Sequence, residues 1–355
     1  MMTYAERARQ TFDAMTQHFY RPAENLYLER IPLLTEDREY SYVWPYTGVL
    51  SAANALMWLP NAAQHDQATL LRVLDGLEQY RDSTAHAYDS YVRRFGGGQK
   101  FYDDNQWIGM EFIHAYRCLK DPTLLEKAVD IFQFMLRGWT DTMGGGIYWR
   151  EDDFETKNTC SNGPGAVLAL MLYQETGSEA YLTWAKKILT WLERLHDPVS
   201  GVYLDAIKAN GSLDRRTFTY NTGTPLHANA LLYEITGDAA YKQAAWALAE
   251  AAEKHFAQVV EGTPVRFFPN TPWFNAVLLR GMLAFRKFDD FESHPAHKLL
   301  RRMIENLDYA WDHARDENGL FGPSWVGNEQ TTPRWLLDQA AMVECYVLLD
   351  QDKVF

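Results

Sequence analysis

The chain has 355 residues, a formal net charge of −13 and a pI near 5.2, with 47% hydrophobic and 14% aromatic residues. Acidity without a basic stripe argues against nucleic acid as a partner, and no run is long and apolar enough to span a bilayer. The opening MMTYAERARQTF has no apolar signal core and the cysteines (Cys118, Cys160, Cys345) are odd in number and far apart, so we expect a cytoplasmic protein, or an exported one if a signal was trimmed, without a disulfide framework or zinc site.

In chain order, an amphipathic stretch at 4–19 is followed by a β-like tag, NLYLER at 25–30, and an apolar run, GVLSAANALMWL at 48–59. The same succession then recurs. Amphipathic stretches lie near 66–80, 123–138, 179–195, 239–255 and 296–313, and apolar runs at 107–119, 163–173, 224–235, 273–285 and 335–349. Tags GIYWRE (146–151), GVYLDA (201–206) and NGLFGP (318–323) stand between them, with Tyr88 and Phe267 in the two remaining slots. Within 179–195, Tyr181, Ala185, Ile188, Trp191, Leu192 and Leu195 share one helical face, so that helix has a single buried side. Asp121, Ser178 and Asp238 recur about every sixty residues as expected N-caps. The apolar runs have little polar face and are too short for a membrane, which places them between layers.

Six such hairpins fill the chain. The spacing predicts an all-α fold, a closed (α/α)6 toroid with apolar helices inside, amphipathic helices outside and short β-like loops at one end. An open solenoid would need polar capping repeats, and none is visible. No Pro/Gly/Ser linker divides the chain, so residues 1–355 are expected to form one catalytic domain.

In a ring, the segments opening the inner helices become neighbours. They read SYVWPYTG (41–48), FYDDNQW (101–107), NTCSNGPG (158–165), FTYNTGTP (218–225), FPNTPW (268–273) and TTPRW (331–335). Hydrogen-bonding groups mixed with flat rings suit a carbohydrate cleft. Trp44, Tyr102, Asn158, Asn162, Tyr220, Asn221 and Trp335 are the expected lining, whereas Tyr27, Tyr148 and Tyr203 in the tags read as packing residues.

Asp103 and Asp104 are the candidates for the chemistry, with a paired N-cap as the alternative that position leaves open. Adjacent carboxylates cannot ionise independently, which suits a charged nucleophile beside a protonated acid. Asp152-Asp153 and Asp289-Asp290 repeat the dipeptide in polar, loop-like or outer-helix surroundings. Only the first pair follows Gly96-Gly97-Gly98, sits between Tyr102 and Trp107 and opens an inner helix.

The run Tyr102-Asp103-Asp104-Asn105-Gln106-Trp107, in a six-hairpin chain, resembles the signature of glycoside hydrolase family 76, the endo-acting α-1,6-mannanases and related fungal wall enzymes. The resemblance implies a retaining hydrolase acting on α-1,6-linked mannan or mannooligosaccharides, with Asp103 as nucleophile and Asp104 as general acid/base. Retention requires carboxyls ~5–5.5 Å apart, a spacing that neighbours at a helix start can meet. The alternatives are a sugar 2-epimerase or isomerase using histidines, His227 among them, and a non-catalytic glycan-binding relative. No cofactor is implied. No metal is expected, because neither His-x-x-x-His with a nearby acid nor a Ca²⁺-loop pattern occurs.

Overall fold

The structure, a computed structural model, describes residues 2–286, 288, 290–327 and 333–350. Its helices are α1 (Tyr4–Phe19), α2 (Val43–Leu56), α3 (Gln64–Leu77), α4 (Tyr102–Leu119), α5 (Pro122–Arg137) and α6 (Thr159–Thr176), then α7 (Glu179–Leu192), α8 (Thr219–Thr236), α9 (Ala239–Phe256), α10 (Pro272–Leu283), α11 (His297–His313) and α12 (Leu336–Asp350). The even-numbered helices form the inner ring. Each packs on the next, and α12 closes the circle against α2 while also packing on α1.

The outer helices are held by one face. α11 buries Leu299, Leu300, Met303, Leu307, Ala310 and Trp311 and leaves its charged residues outside. Asp121 and Asp238 cap α5 and α9, accepting from the backbone N–H of Thr123 and Ala240 at 3.0 and 2.9 Å. Ser178 is the N-cap residue of α7, but its hydroxyl makes no capping bond.

Inner helices touch more closely, and small residues permit it. A Cβ on Gly223 of α8 would lie 2.7 Å from the Leu278 Cα of α10, and one on Gly281 would lie 2.5 Å from the Gly223 carbonyl oxygen. These two helices therefore meet backbone to backbone.

Four inner helices start about five residues before their apolar runs, and in α4, α6 and α8 the extra turn carries buried polar side chains. Buried amides, two of them in these turns, clamp the tags. The Asn105 amide accepts from the Tyr88 N–H at 2.7 Å and donates to the Tyr88 carbonyl at 3.1 Å. Asn162 does the same to Ile147, at 2.8 and 2.9 Å, and Gln339 to Phe321, at 2.7 and 3.0 Å. Asn306, on outer helix α11, holds Phe268 and Arg266. Burying an amide is tolerable when both halves are paired, and here each pairing stitches a tag to a helix.

The tags are strands of hairpins. Those at 20–31, 81–88 and 258–267 remain two-stranded, whereas the pairs before α6 and α8 fuse into one antiparallel sheet of Tyr148–Arg150, Asp153–Asn158, Leu204–Lys208 and Leu213–Thr217. Asp153, expected in a loop, begins the second strand and lies 3.4 Å from Arg150. The tag at 318–323 forms only a bridge, Arg315 to Phe321. Strand Arg30–Ile31 pairs with Arg334–Trp335, joining the first and last hairpins at the mouth of the ring. Thr331 and Thr332 of the sixth opening, and Asp289, lie outside the described residues. No described helix is long and apolar enough to cross a membrane.

Candidate active site

A cleft of about 840 Å³ opens at the mouth of the ring, and Asp103 and Asp104 lie in its wall in the first turn of α4. The two acids have different partners. Asp103 Oδ1 accepts from the backbone N–H of Asp104 at 3.0 Å, and its Oδ2 from the indole N–H of Trp149 at 3.2 Å. Burial pushes Asp103 up to about 6, and these donors, which favour its charged form, limit the rise. Asp104 is pushed well above the carboxylate range by burial and then by the charge on Asp103. The positive end of the α4 dipole favours both anions by only ~0.3–1 kcal/mol, so desolvation dominates. Asp103 is thus the member that ionises first, and Asp104 the one that keeps a proton.

The strands position the rest. Tyr148 and Trp149 point to opposite faces, as strand geometry requires. Tyr148 is buried, and Trp149 stands in the cleft with its ring 5.0 Å from Phe101. Trp44 stacks on Phe274 at 6.1 Å, and Phe274 lies 4.2 Å from Tyr220, giving a run of rings on one wall. Trp107 and Trp273, edge to face at 5.8 Å, also line the cleft. On the opposite hairpin, Arg216 lies 2.9 Å from Asp205 and 2.8 Å from Asp214. Pro164 lacks the N–H that would bond the Cys160 carbonyl, loosening α6 where Cys160 meets the cleft.

Of the residues expected here, Trp44, Asn158 and Tyr220 line the cleft with the two acids. Asn158 Oδ1 is buried and has no hydrogen-bond partner among the described residues. Four others are elsewhere. Tyr102 is buried against Phe134, its ring filling space that a Cβ on Gly138 would occupy at 2.6 Å. Asn162 is consumed by its clamp on Ile147. Asn221 is fully buried and donates to Asp205 at 3.2 Å. Trp335 stands behind Trp44, edge-on at 5.4 Å, and donates its N–H to Glu29 at 2.8 Å. Tyr27, Tyr148 and Tyr203 are buried packing residues. Asp152, Asp153 and Asp290 stay outside the cleft, with Asp152 accepting from Gln99 and Asp290 paired to Lys242. Sequence reasoning missed Phe101, Trp149, Phe218 and Phe274, together with Asp205, Lys208, Asp214 and Arg216.

His227 lies in a different cavity, toward the far end of the ring, so the acids and this histidine do not share a site. Among the described residues, no three His, Cys, Asp or Glu side chains gather as a metal site.

The sequence profile of glycosyl hydrolase family 76 matches residues 3–351, nearly the whole chain. The chain belongs to that family. The fold agrees with solved family 76 structures. A mannosidase of the family from Bacteroides thetaiotaomicron, Bt3792, superposes with a TM-score of 0.87 at 26% identity, covering 98% of both chains. The α-1,6-mannanase GH76A from Salegentibacter sp. gives 0.82 at 25% identity, covering 98% of this chain and all of that one. A mannan endo-1,6-α-mannosidase from Candida glabrata is 30% identical over 146 residues, 38% of this chain. That match spans only 33% of the Candida protein. The family 76 chain described here is therefore an all-α glycoside hydrolase with the toroid that its periodicity predicts.

Proposed function

We propose that this family 76 hydrolase cleaves α-1,6-linked mannan or mannooligosaccharides with retention of configuration, as one catalytic domain. The observation that carries the reading is the unequal environment of the two acids. Asp103 has two donors that favour its anion, whereas Asp104 faces that anion and has neither of them. Asp103 would attack the anomeric carbon. Asp104 would protonate the leaving oxygen and then take the proton of the incoming water. The rings of Trp44, Phe274 and Trp149 offer faces for sugars, and the unpartnered Asn158 Oδ1 can accept from a hydroxyl. The Salegentibacter relative supports the substrate class, since an inactive variant with two consecutive aspartates replaced is known in complex with α-1,6-mannotriose.

The test is product analysis on α-1,6-mannotetraose, with the first-formed anomer read by proton NMR. Release of the α-anomer before mutarotation is the expected result. A β-anomer would replace retention by inversion, and no cleavage of any α-1,6-mannan would remove the substrate assignment.

A further inference from the structure

Beneath Trp107 the ring has a second cavity, of about 530 Å³, distinct from the cleft. Its residues come from the later turns of the inner helices, whereas Asp103 and Asp104 stand in the first turn of α4. The two spaces lie back to back, with Trp107 in the wall of both. Behind Trp107 and Trp273, Arg280 forms a buried partition. Its guanidinium stands 5.7 and 5.3 Å from the two rings and bonds Glu344 at 2.7 Å and Glu111 at 3.1 Å. The exposed Gln174 and Glu234 lie at the rim, which leaves the cavity open to solvent at the far end.

We propose that this far-end cavity is a second small-molecule site, separate from the glycan cleft, which takes a neutral, ring-bearing, largely apolar molecule with one or two hydrogen-bonding groups. The walls select that class. Trp58, Met110, Met171, Leu231 and Val277 are among its walls, the surface is mostly apolar, and the volume is that of an ordinary ligand pocket. The cations of the lining, Arg117 and Arg280, are both held by acids. Arg117 pairs with Glu175 at 2.6 Å, and Arg280 is held by Glu111 and Glu344. An ionic ligand would lose its hydration without gaining a fresh counter-charge, which is expensive in a low-dielectric space. A polar contact suited to a neutral ligand comes from His114. His114 packs edge-on against Trp58 at 5.0 Å, and burial and nearby cations hold it well below its ordinary pKa.

The cysteines make the site testable on the unmodified chain. Cys118 lines the far-end cavity and Cys160 lines the cleft. N-phenylnaphthylamine, a neutral diarylamine of three aromatic rings that brightens in apolar surroundings, is titrated against the protein. Alkylation of each cysteine by iodoacetamide is then followed by mass spectrometry with and without the probe. The expected result is saturable fluorescence with Cys118 alkylation slowed about tenfold at a probe concentration ten times its Kd, and Cys160 unchanged. A Met171→Trp variant, which fills the cavity, should lose the signal, and the Cys118 footprint on the wild-type chain decides the question even if that variant does not fold. Absence of saturable binding up to the probe's solubility, binding that leaves Cys118 unprotected, or protection of Cys160 instead would each overturn the proposal.

Discussion

The indole N–H of Trp149 reaches Oδ2 of Asp103 at 3.2 Å from the first strand of the mouth sheet. A residue outside the inner helices thus helps to decide which acid carries the charge. Charge-assisted hydrogen bonds are worth ~1.5–3 kcal/mol. Trp149→Phe keeps the stacking on Phe101 but removes the donor, so the Asp103 anion should become harder to form. The acid limb of kcat/KM should move to higher pH, with a loss of about tenfold or more at the wild-type optimum, since ~1.4 kcal/mol is one decade. An unchanged acid limb would show that the indole serves only as a sugar platform.

The two acids should fail differently. Asp103→Ala should abolish turnover, because no glycosyl-enzyme bond can form. Asp104→Ala should impair mannooligosaccharides by several orders of magnitude but spare aryl glycosides with good leaving groups, which need little protonation. Azide should partly rescue the Asp104 variant with retained configuration, and any rescue of the Asp103 variant should give the inverted azide. Near-wild-type rates in both variants would leave the pair with only a structural role at the start of α4.

Periodicity made the ring legible, because an apolar run such as 163–173 and an amphipathic one such as 179–192 differ in every turn. The helix starts were not legible. Asn105, Asn162 and Asn221 look like loop residues in sequence, and their burial depends on partners such as the Tyr88 and Ile147 backbones, which are remote along the chain. For the same reason the sequence points Asn162 and Asn221 to the cleft, although the Asn162 amide is engaged on both sides and the Asn221 nitrogen is spent on Asp205. The fused four-stranded sheet rests on the pairing of Lys157 with Ile207, fifty residues away and without a local signal. Trp149 could have been found, since alternation along the tag GIYWRE puts it opposite the buried Tyr148. Asp103 and Asp104 were visible because their glycine-rich approach and helix opening are contiguous in sequence.

Asn162→Ala should separate stability from binding. The substitution leaves the buried Ile147 N–H without its partner, while the carbonyl keeps the Ser161 hydroxyl at 3.2 Å, a cost of about 1–3 kcal/mol. The denaturation midpoint should fall while KM for mannotetraose stays within about twofold. Asn158→Ala should do the reverse, raising KM with little change in stability, because its Oδ1 has no protein partner to lose. Both effects are read from urea melts and initial rates on the same preparations.

Arg280→Met should be among the most damaging single changes away from the cleft. It strands Glu111 and Glu344, both almost fully buried, beside each other without their cation. Removing one member of a buried ion network costs ~3–5 kcal/mol. Burial already pushes Glu111 up to about 7, and loss of the arginine should raise it further. The variant should therefore regain part of its lost stability as pH falls, when Glu111 takes a proton, and urea melts across the acidic range would reveal this. A loss independent of pH would point to packing around Trp107 and Trp273 instead.

Asp104 should be a site where activity costs stability. Its folded pKa lies well above the unfolded value of 3.8, so the folded chain holds a proton there that the unfolded chain releases. Its favourable contribution is complete below the unfolded value and is lost as pH rises through the folded one. Asparagine in its place carries no such titration. The Tm of Asp104→Asn minus that of the wild type should therefore be smallest near pH 4, grow as pH rises, and level off once the folded Asp104 has itself ionised. Melting curves at closely spaced pH values check this directly. A gap that is flat with pH would mean that Asp104 titrates alike in the folded and unfolded chains, leaving it no raised pKa with which to hold the proton for the leaving group.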